Sequence, residues 1–187
     1  MTTTDTVHLS NRRCVTLRRA RRADAASLET LLAAQQLPRE GVAEWLEHFW
    51  VAEHEGALVG AAGLELYEDA ALLRSVAVAP AWRGSGLGRI LTEHTLEDAR
   101  AAGARDVYLL TTTAEGYFPR LGFTCVAREA APPTLTASAE FRGACPASAV
   151  LMHKPVTLGA QPHERGSGPP RAAGSNALPL RQPPARS

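Results

Sequence analysis

Apolar and polar residues alternate at Cys14, Val15, Thr16, Leu17 and Arg18, a period of two that predicts a strand over 14–18. Leu28, Leu31 and Leu32 then recur at helical spacing, so 24–36 reads as a helix with Asp24 as its N-cap, stopping before Pro38. A short second helix is expected over 40–47, with Trp45 and Leu46 available for packing. Three strands follow at 48–53, 57–67 and 71–78, separated by turns at Glu55-Gly56 and Glu68-Asp69. Leu87, Ile90, Leu91 and His94 share one side of a helix over 86–102, and Gly103 is its C-terminal cap. A strand at 106–110, a short helix at 114–121 and strands at 123–127 and 149–152 complete the pattern. The order β-α-α-β-β-β-α-β-α-β-β predicts an α/β protein of α+β type. Its mixed sheet should hold six to seven strands, with about four helices packed against them.

Composition changes this picture mainly at the two ends. The 187 residues suit one domain, over 13–156, preceded by a flexible segment at 1–12. The stretch 157–187 is rich in Pro, Gly, Ser and Arg without periodicity, and is expected to be a disordered tail. Nothing approaches the ~18 consecutive apolar residues of a membrane span. The first residues hold no apolar run of signal-peptide type. Cys14, Cys125 and Cys145 cannot all pair, and their spacing matches no metal site. A reduced, cytoplasmic protein without a metal is the economical expectation. The net charge of +1 leaves no footprint for nucleic acid. The six arginines between Arg12 and Arg22 read as a solvated strand edge.

The chemistry lies in Val76 to Arg89, VAVAPAWRGSGLGR. A strand ends at Pro80, and Arg83-Gly84-Ser85-Gly86-Leu87-Gly88 opens into a helix. A glycine-rich loop at a helix N-terminus aims backbone N–H groups and the positive end of the helix dipole at one point. That is an anion site, most naturally for a pyrophosphate. The loop lacks the lysine and hydroxyl of a nucleoside-triphosphate loop and does not read G-x-G-x-x-G.

Arg83-x-x-Gly86-x-Gly88 resembles the acyl-CoA loop of the GCN5-related N-acetyltransferases (GNAT), and AEGYFPRLGF at 114–123 resembles that family's fourth helix and next strand. The resemblance spans roughly 16–155 and implies an enzyme that transfers acetyl from acetyl-CoA to an amine. It implies that strands 71–78 and 106–110 splay to admit the thioester. The expected cofactor contacts are Val76, Val78, Arg83, Gly84, Ser85, Gly86, Leu87, Gly88 and Arg89, with Thr111 beside the pantetheine arm and the Phe118 ring near the cofactor sulfur. The family often carries a tyrosine as general acid four residues before the glycine of Gly122-Phe123. Here that position is Phe118, and Tyr117 next to it is rotated by ~100° on a helix.

Glu65 and Glu68 are the carboxylates nearest the expected cleft and the candidate bases, while Arg74 could bind an oxyanion of the substrate. The segment from Arg128 to Ser148 is too long for a hairpin and should border the acceptor. With LLTTTAEGYF, RLGF and CPASAVLMHK it is similar to a branch called arsenic-resistance N-acetyltransferases, which brings Cys145 forward as a substrate contact. The acceptor is expected to be a small-molecule amine, the protein a monomer or homodimer with no nucleic-acid or membrane partner. A non-catalytic acyl-CoA sensor and a protein or peptide N-acetyltransferase remain alternatives.

Overall fold

The computed structural model describes residues 4–156. The expected disordered tail at 157–187 lies outside the described residues. One sheet of eight strands has the order β1-β2-β3-β4-β5-β6-β8-β7. The strands are β1 (Thr4–His8), β2 (Cys14–Arg19), β3 (Trp50–His54), β4 (Ala57–Tyr67), β5 (Ala70–Val78), β6 (Asp106–Thr111), β7 (Thr124–Val126) and β8 (Val150–Pro155). Two α-helices, α1 (Ala25–Ala34) and α2 (Leu87–Ala101), pack against it.

Strand alternation sorts the core onto two faces. Trp50, Ala52 and Ala62 meet Leu87 and Leu91 of α2. Leu64, Leu73 and Leu109 meet Leu96 and Ala99 on that same side. Val51 and Ala61 point the other way, onto Leu28, Leu31 and Leu32 of α1. Beyond α1, that second face is covered by the long segment between β7 and β8, whose fully buried Leu135 sits against Leu72, Tyr108 and Leu151. Each such leucine contributes roughly 1.5–3 kcal/mol, which is what holds a segment without regular structure in place.

Two interruptions of the sheet create the site. The parallel pairing of β5 with β6 lasts only from Ala70↔Asp106 to Leu72↔Tyr108. Beyond it, the facing backbone groups of both strands have no ladder partner. In addition β5 carries one residue too many opposite β4, because Gly63 pairs with Arg74 but Ala61 with Ala77. Ser75 in this bulge takes φ 55, the left-handed region that a non-glycine residue enters only when its surroundings enforce it.

Four expectations are corrected here. The segment at 1–12 is not simply flexible, because Thr4–His8 forms edge strand β1 against β2, from Thr4↔Arg18 to His8↔Cys14, and Leu9 behind it is buried. Backbone pairing holds it, with little apolar signal in its side chains. No α-helix forms over 40–47, where Gly41 at φ 79 breaks the path and a single 3₁₀ turn, Leu46–His48, follows. Over 114–121 the chain makes a turn and then a 3₁₀ turn, Phe118–Leu121, containing Pro119. Asp24 does not cap α1 through its side chain; its carboxylate accepts from Arg18 at 2.7 and 2.9 Å and from the Arg21 N–H at 2.7 Å.

Candidate active site

The gap between β5 and β6 opens a cleft of about 760 Å³ that joins the glycine-rich loop to the underside of the long β7–β8 segment. At the loop end, Gly84 and Gly86 adopt φ 73 and 87, and a Cβ at either would meet nothing within 4 Å. The demand for glycine there is conformational, and the space in front of the loop is open to a ligand. Gly86 is the N-cap of α2, so the first N–H groups of a fifteen-residue helix point into that space. Arg83 and Arg89 flank it from solvent, Arg83 donating to Gln35 Oε1 and Arg89 paired with Glu93 at 2.7 Å. The side chain of Ser85, expected at the cofactor, instead turns inward and donates to the Trp82 carbonyl at 2.6 Å. Its buried hydroxyl stabilises the loop from beneath.

Val76, Val78 and Thr111 line the middle of the cleft. Thr111 Oγ1 accepts from the Ala114 N–H at 3.0 Å, which fixes the turn leading to Tyr117 and leaves its own proton to donate. Phe118 also borders the cleft, but most of its ring is in the core, edge-on to Phe123 at 5.7 Å between centroids. Tyr117 borders the cleft as well. Its hydroxyl is buried and has no hydrogen-bond partner among the described residues. Gly88 makes room for it, since a Cβ there would lie 3.0 Å from the hydroxyl. The helical rotation expected to carry Tyr117 away does not apply, because this turn is not α-helical. Burial pushes the phenol above its ordinary pKa, so it stays protonated at neutral pH.

At the other end the cleft meets a buried charge cluster. Arg74 is enclosed, donating to Glu65 Oε1 and, at 2.6 Å, to the Glu40 carbonyl. Gly41 allows this approach, since a Cβ there would come within 2.8 Å of the guanidinium. The second oxygen of Glu65 accepts from the Tyr67 hydroxyl at 2.5 Å. Both oxygens of Glu65 are therefore engaged and the residue does not border the cleft, so it does not stand where the expected base would act. Glu68 is exposed in the β4–β5 turn at φ 43, away from the cleft. Arg74 borders the cleft but is already committed to carboxylates of its own chain, which takes it out of direct oxyanion binding.

Two cleft residues escaped the sequence reading. Glu140, from the β7–β8 segment, is 3 % exposed, with Oε1 3.6 Å from Arg74 Nε and Oε2 3.7 Å from the Cys145 thiol that donates to it. Desolvation, only partly offset by Arg74, raises its pKa to about 7. The same burial, with Glu140 alongside, pushes the Cys145 thiol up to about 12, so this cysteine is a neutral lining group and not a ready thiolate. Arg39 is exposed at the rim, and its guanidinium forms no hydrogen bond or ion pair among the described residues. Glu140 shares its segment with another acidic residue, Glu129, and with Arg128 and Arg142, so neither it nor Arg39 was singled out by the sequence.

An orphaned hydroxyl, an open glycine loop at a helix start and two unpaired strand edges suit an extended acyl-CoA arm. Among the described residues no helix is long and apolar enough to cross a membrane. Comparison with known proteins agrees with the geometry. The acetyltransferase (GNAT) domain family matches residues 45–125. An amino-acid acetyltransferase of Mycobacterium tuberculosis is 36% identical over 118 residues, 58% of this chain and 67% of that protein. An uncharacterized N-acetyltransferase of Chlorobaculum tepidum is 30% identical over 124 residues, 62% of this chain and 79% of the relative. Among solved structures, N-acetylglutamate synthase from Neisseria gonorrhoeae, in complex with coenzyme A and N-acetyl-glutamate, superposes with a TM-score of 0.66 at 24% identity, over 76% of this chain and 35% of that one. A Mycobacterium tuberculosis protein in complex with CoA gives 0.63 at 25% identity, over 75% and 99% of the two chains. The chain thus belongs to the GNAT family and is an N-acetyltransferase with acetyl-CoA as its cosubstrate.

Proposed function

We propose that the enzyme acetylates the amino group of a free amino acid, or of an amino-acid-like small molecule carrying an anionic group. The observation that carries this reading is the acceptor end of the cleft, with one uncommitted cation, Arg39, at the rim and a buried acidic floor at Glu140. An amine that also bears a carboxylate or another oxyanion is complementary to both. The names of the relatives, amino-acid acetyltransferase and N-acetylglutamate synthase, point the same way. Leu135 and Ser138 are buried beside Glu140, so the β7–β8 segment lies over this end of the cleft and favours a compact acceptor over a peptide. An organoarsenical with an α-amine and an oxyanionic head meets the same requirements, which is how the likeness to the arsenic-resistance branch is accommodated.

When bound, acetyl-CoA supplies an acetyl group activated as a thioester. Arg83 to Arg89 hold the pyrophosphate through main-chain N–H groups and the start of α2. The bulged stretch of β5 from Ser75 to Val78 offers unpaired main-chain groups to the thioester end. Tyr117, which borders the cleft, holds a proton at its hydroxyl and gives it to the departing sulfur. The sensor alternative rested on Phe118 standing where a tyrosine was expected, and the Tyr117 hydroxyl removes its basis.

Thiol release from acetyl-CoA, measured over neutral amines, anionic amino acids, an organoarsenical amino acid and short peptides, tests the reading. Anionic α-amines should be the best acceptors. Arg39→Ala should raise their KM roughly 10- to 100-fold, the loss of one charge-assisted contact of ~1.5–3 kcal/mol, and spare neutral amines. Turnover of peptides alone, or equal use of neutral and anionic amines, would refute it.

A further inference from the structure

We propose that Glu140 is the general base of the reaction, delivered by the β7–β8 segment to take a proton from the acceptor's ammonium group. This deepens the reading above and rests on it. The geometry is a matter of unequal bonding. Two carboxylates, Glu65 and Glu140, face a single guanidinium, that of Arg74, in a space that excludes bulk water. Glu65 takes the close contact with Arg74 and the Tyr67 hydroxyl. Glu140 is left over. Its Oε1 lies beyond hydrogen-bond distance of Arg74, and its Oε2 receives only the weak S–H donor of Cys145. A buried carboxylate lacking any N–H or O–H donor among the described residues, yet open to the cleft, is complementary to a primary ammonium.

The backbone shows that the position is built. The Ser138 hydroxyl accepts from the Glu140 N–H at 3.2 Å. The Cys145 N–H donates to the Glu140 carbonyl at 3.1 Å across the wide turn Glu140–Ala144. Fully buried Leu135 anchors the segment a few residues upstream.

The charges around Glu140 come from every side. Glu65 on β4, Arg74 on β5 and Cys145 on its own segment bear on Glu140 directly, while Tyr67 is hydrogen-bonded to Glu65 and Arg128 acts on Cys145. Across the cleft are Arg39 and Glu40, the Glu40 carboxylate being turned back to the Arg39 N–H at 3.0 Å. Desolvation, the like charge of Glu65 and the partial compensation by Arg74 leave the carboxyl near neutrality, where a base is most effective.

Glu140 takes one proton from the ammonium, and the freed amine nitrogen forms the new C–N bond as the C–S bond breaks. Tyr117 gives its proton to the departing sulfur and recovers the second nitrogen proton as the amide forms. Glu140 then returns its proton to solvent, so one acetyl group moves and one proton is released overall.

The test is Glu140→Gln against wild type, with Glu140→Asp as a second variant. Glu140→Gln should lower kcat at least 100-fold and abolish the acidic limb of the kcat/KM–pH profile, with an unchanged Kd for CoA by calorimetry. Glu140→Asp should keep the limb at a shifted pH. Independently of turnover, infrared difference spectra of the wild type without substrate should show a carboxyl titrating near pH 7. That band should be missing in Glu140→Gln. Retention of rate and limb in Glu140→Gln, or no such carboxyl band in the wild type, overturns the proposal. Failure of the wild type to acetylate any anionic amine would instead sink the reading of function, while the titration band still decides the state of Glu140.

Discussion

Tyr117 shows how one residue's backbone decides its chemistry. Adjacent aromatic residues, Tyr117 and Phe118, compete for the cleft, and on an α-helix spacing alone would have chosen Phe118. Pro119 at the start of the 3₁₀ turn Phe118–Leu121 removes a backbone donor, and the tighter turn sends Phe118 into the core and Tyr117 toward α2. The phenol is then left buried without a partner, a costly state unless a ligand completes it. Tyr117→Phe should lower kcat about 10²-fold or more, the range of general acid catalysis, with little change in the Kd for CoA. Measurement of both in one preparation separates chemistry from binding; an unaltered kcat would remove Tyr117 from the proton path. Gly84, Gly86 and Gly88 were readable from the sequence because a glycine-rich loop has few other uses. Glu65 and Arg74 were readable as polar residues in buried strands, but not as partners of each other, since nine residues of sequence hide a contact across a hairpin.

At the level of elements, the alternating and helical patterns were strong wherever one face is buried against a helix, and α1, α2 and the central strands follow them. The failures fall where side chains do not carry the structure. Edge strand β1 is held by backbone pairing, and the β7–β8 segment is a run of short turns pinned by Leu135. Neither has a period to read. The arginine-rich stretch near the first turn was expected to be solvated, yet Arg18 is 7 % exposed between Asp24 and Glu53. This ion pair ties β2, β3 and the start of α1 together. Its guanidinium holds the Asp24 carboxyl below the usual range, with the Arg21 N–H adding to the effect. A depressed carboxylate pKa contributes stability above its unfolded value of ~3.9 and loses it as the pH falls through the folded value. Asp24→Asn should therefore destabilise the protein by about 1–3 kcal/mol at pH 7, where it leaves the buried guanidinium with Glu53 as its one carboxylate partner. The gap from wild type should narrow in urea titrations as the pH falls through the lowered folded-state pKa of Asp24; a gap independent of pH would show that the pair is not the cause.

In the whole molecule, the parts that make the cleft come from segments far apart in the chain, and the least expected of them is the N-terminus. The turn after β1 reaches the underside of the glycine-rich loop, where Ser10 donates to the Ser85 carbonyl from its N–H at 3.3 Å and its hydroxyl at 3.0 Å. Arg13 lies 3.5 Å over the Trp82 ring and donates to the Ala81 carbonyl at 3.1 Å. Leu9 is buried with Trp82 and Leu87 in the same cluster. The loop that meets the pyrophosphate is thus supported from behind by the edge of the sheet, so that its φ-positive glycines keep their donors aligned before a ligand arrives. Preorganisation of this kind acts on affinity. Removal of residues 1–12 should lower the melting temperature by about 4–8 °C, since the burial of Leu9 is worth ~2 kcal/mol in a domain of this size. It should also raise the Kd for CoA roughly 3- to 10-fold, the scale of one or two lost hydrogen bonds. Ser10→Ala isolates the second effect, because it deletes one contact to the loop and leaves Leu9 in place. A shortened protein with an unchanged Kd for CoA would show that the glycine-rich loop holds its shape unaided.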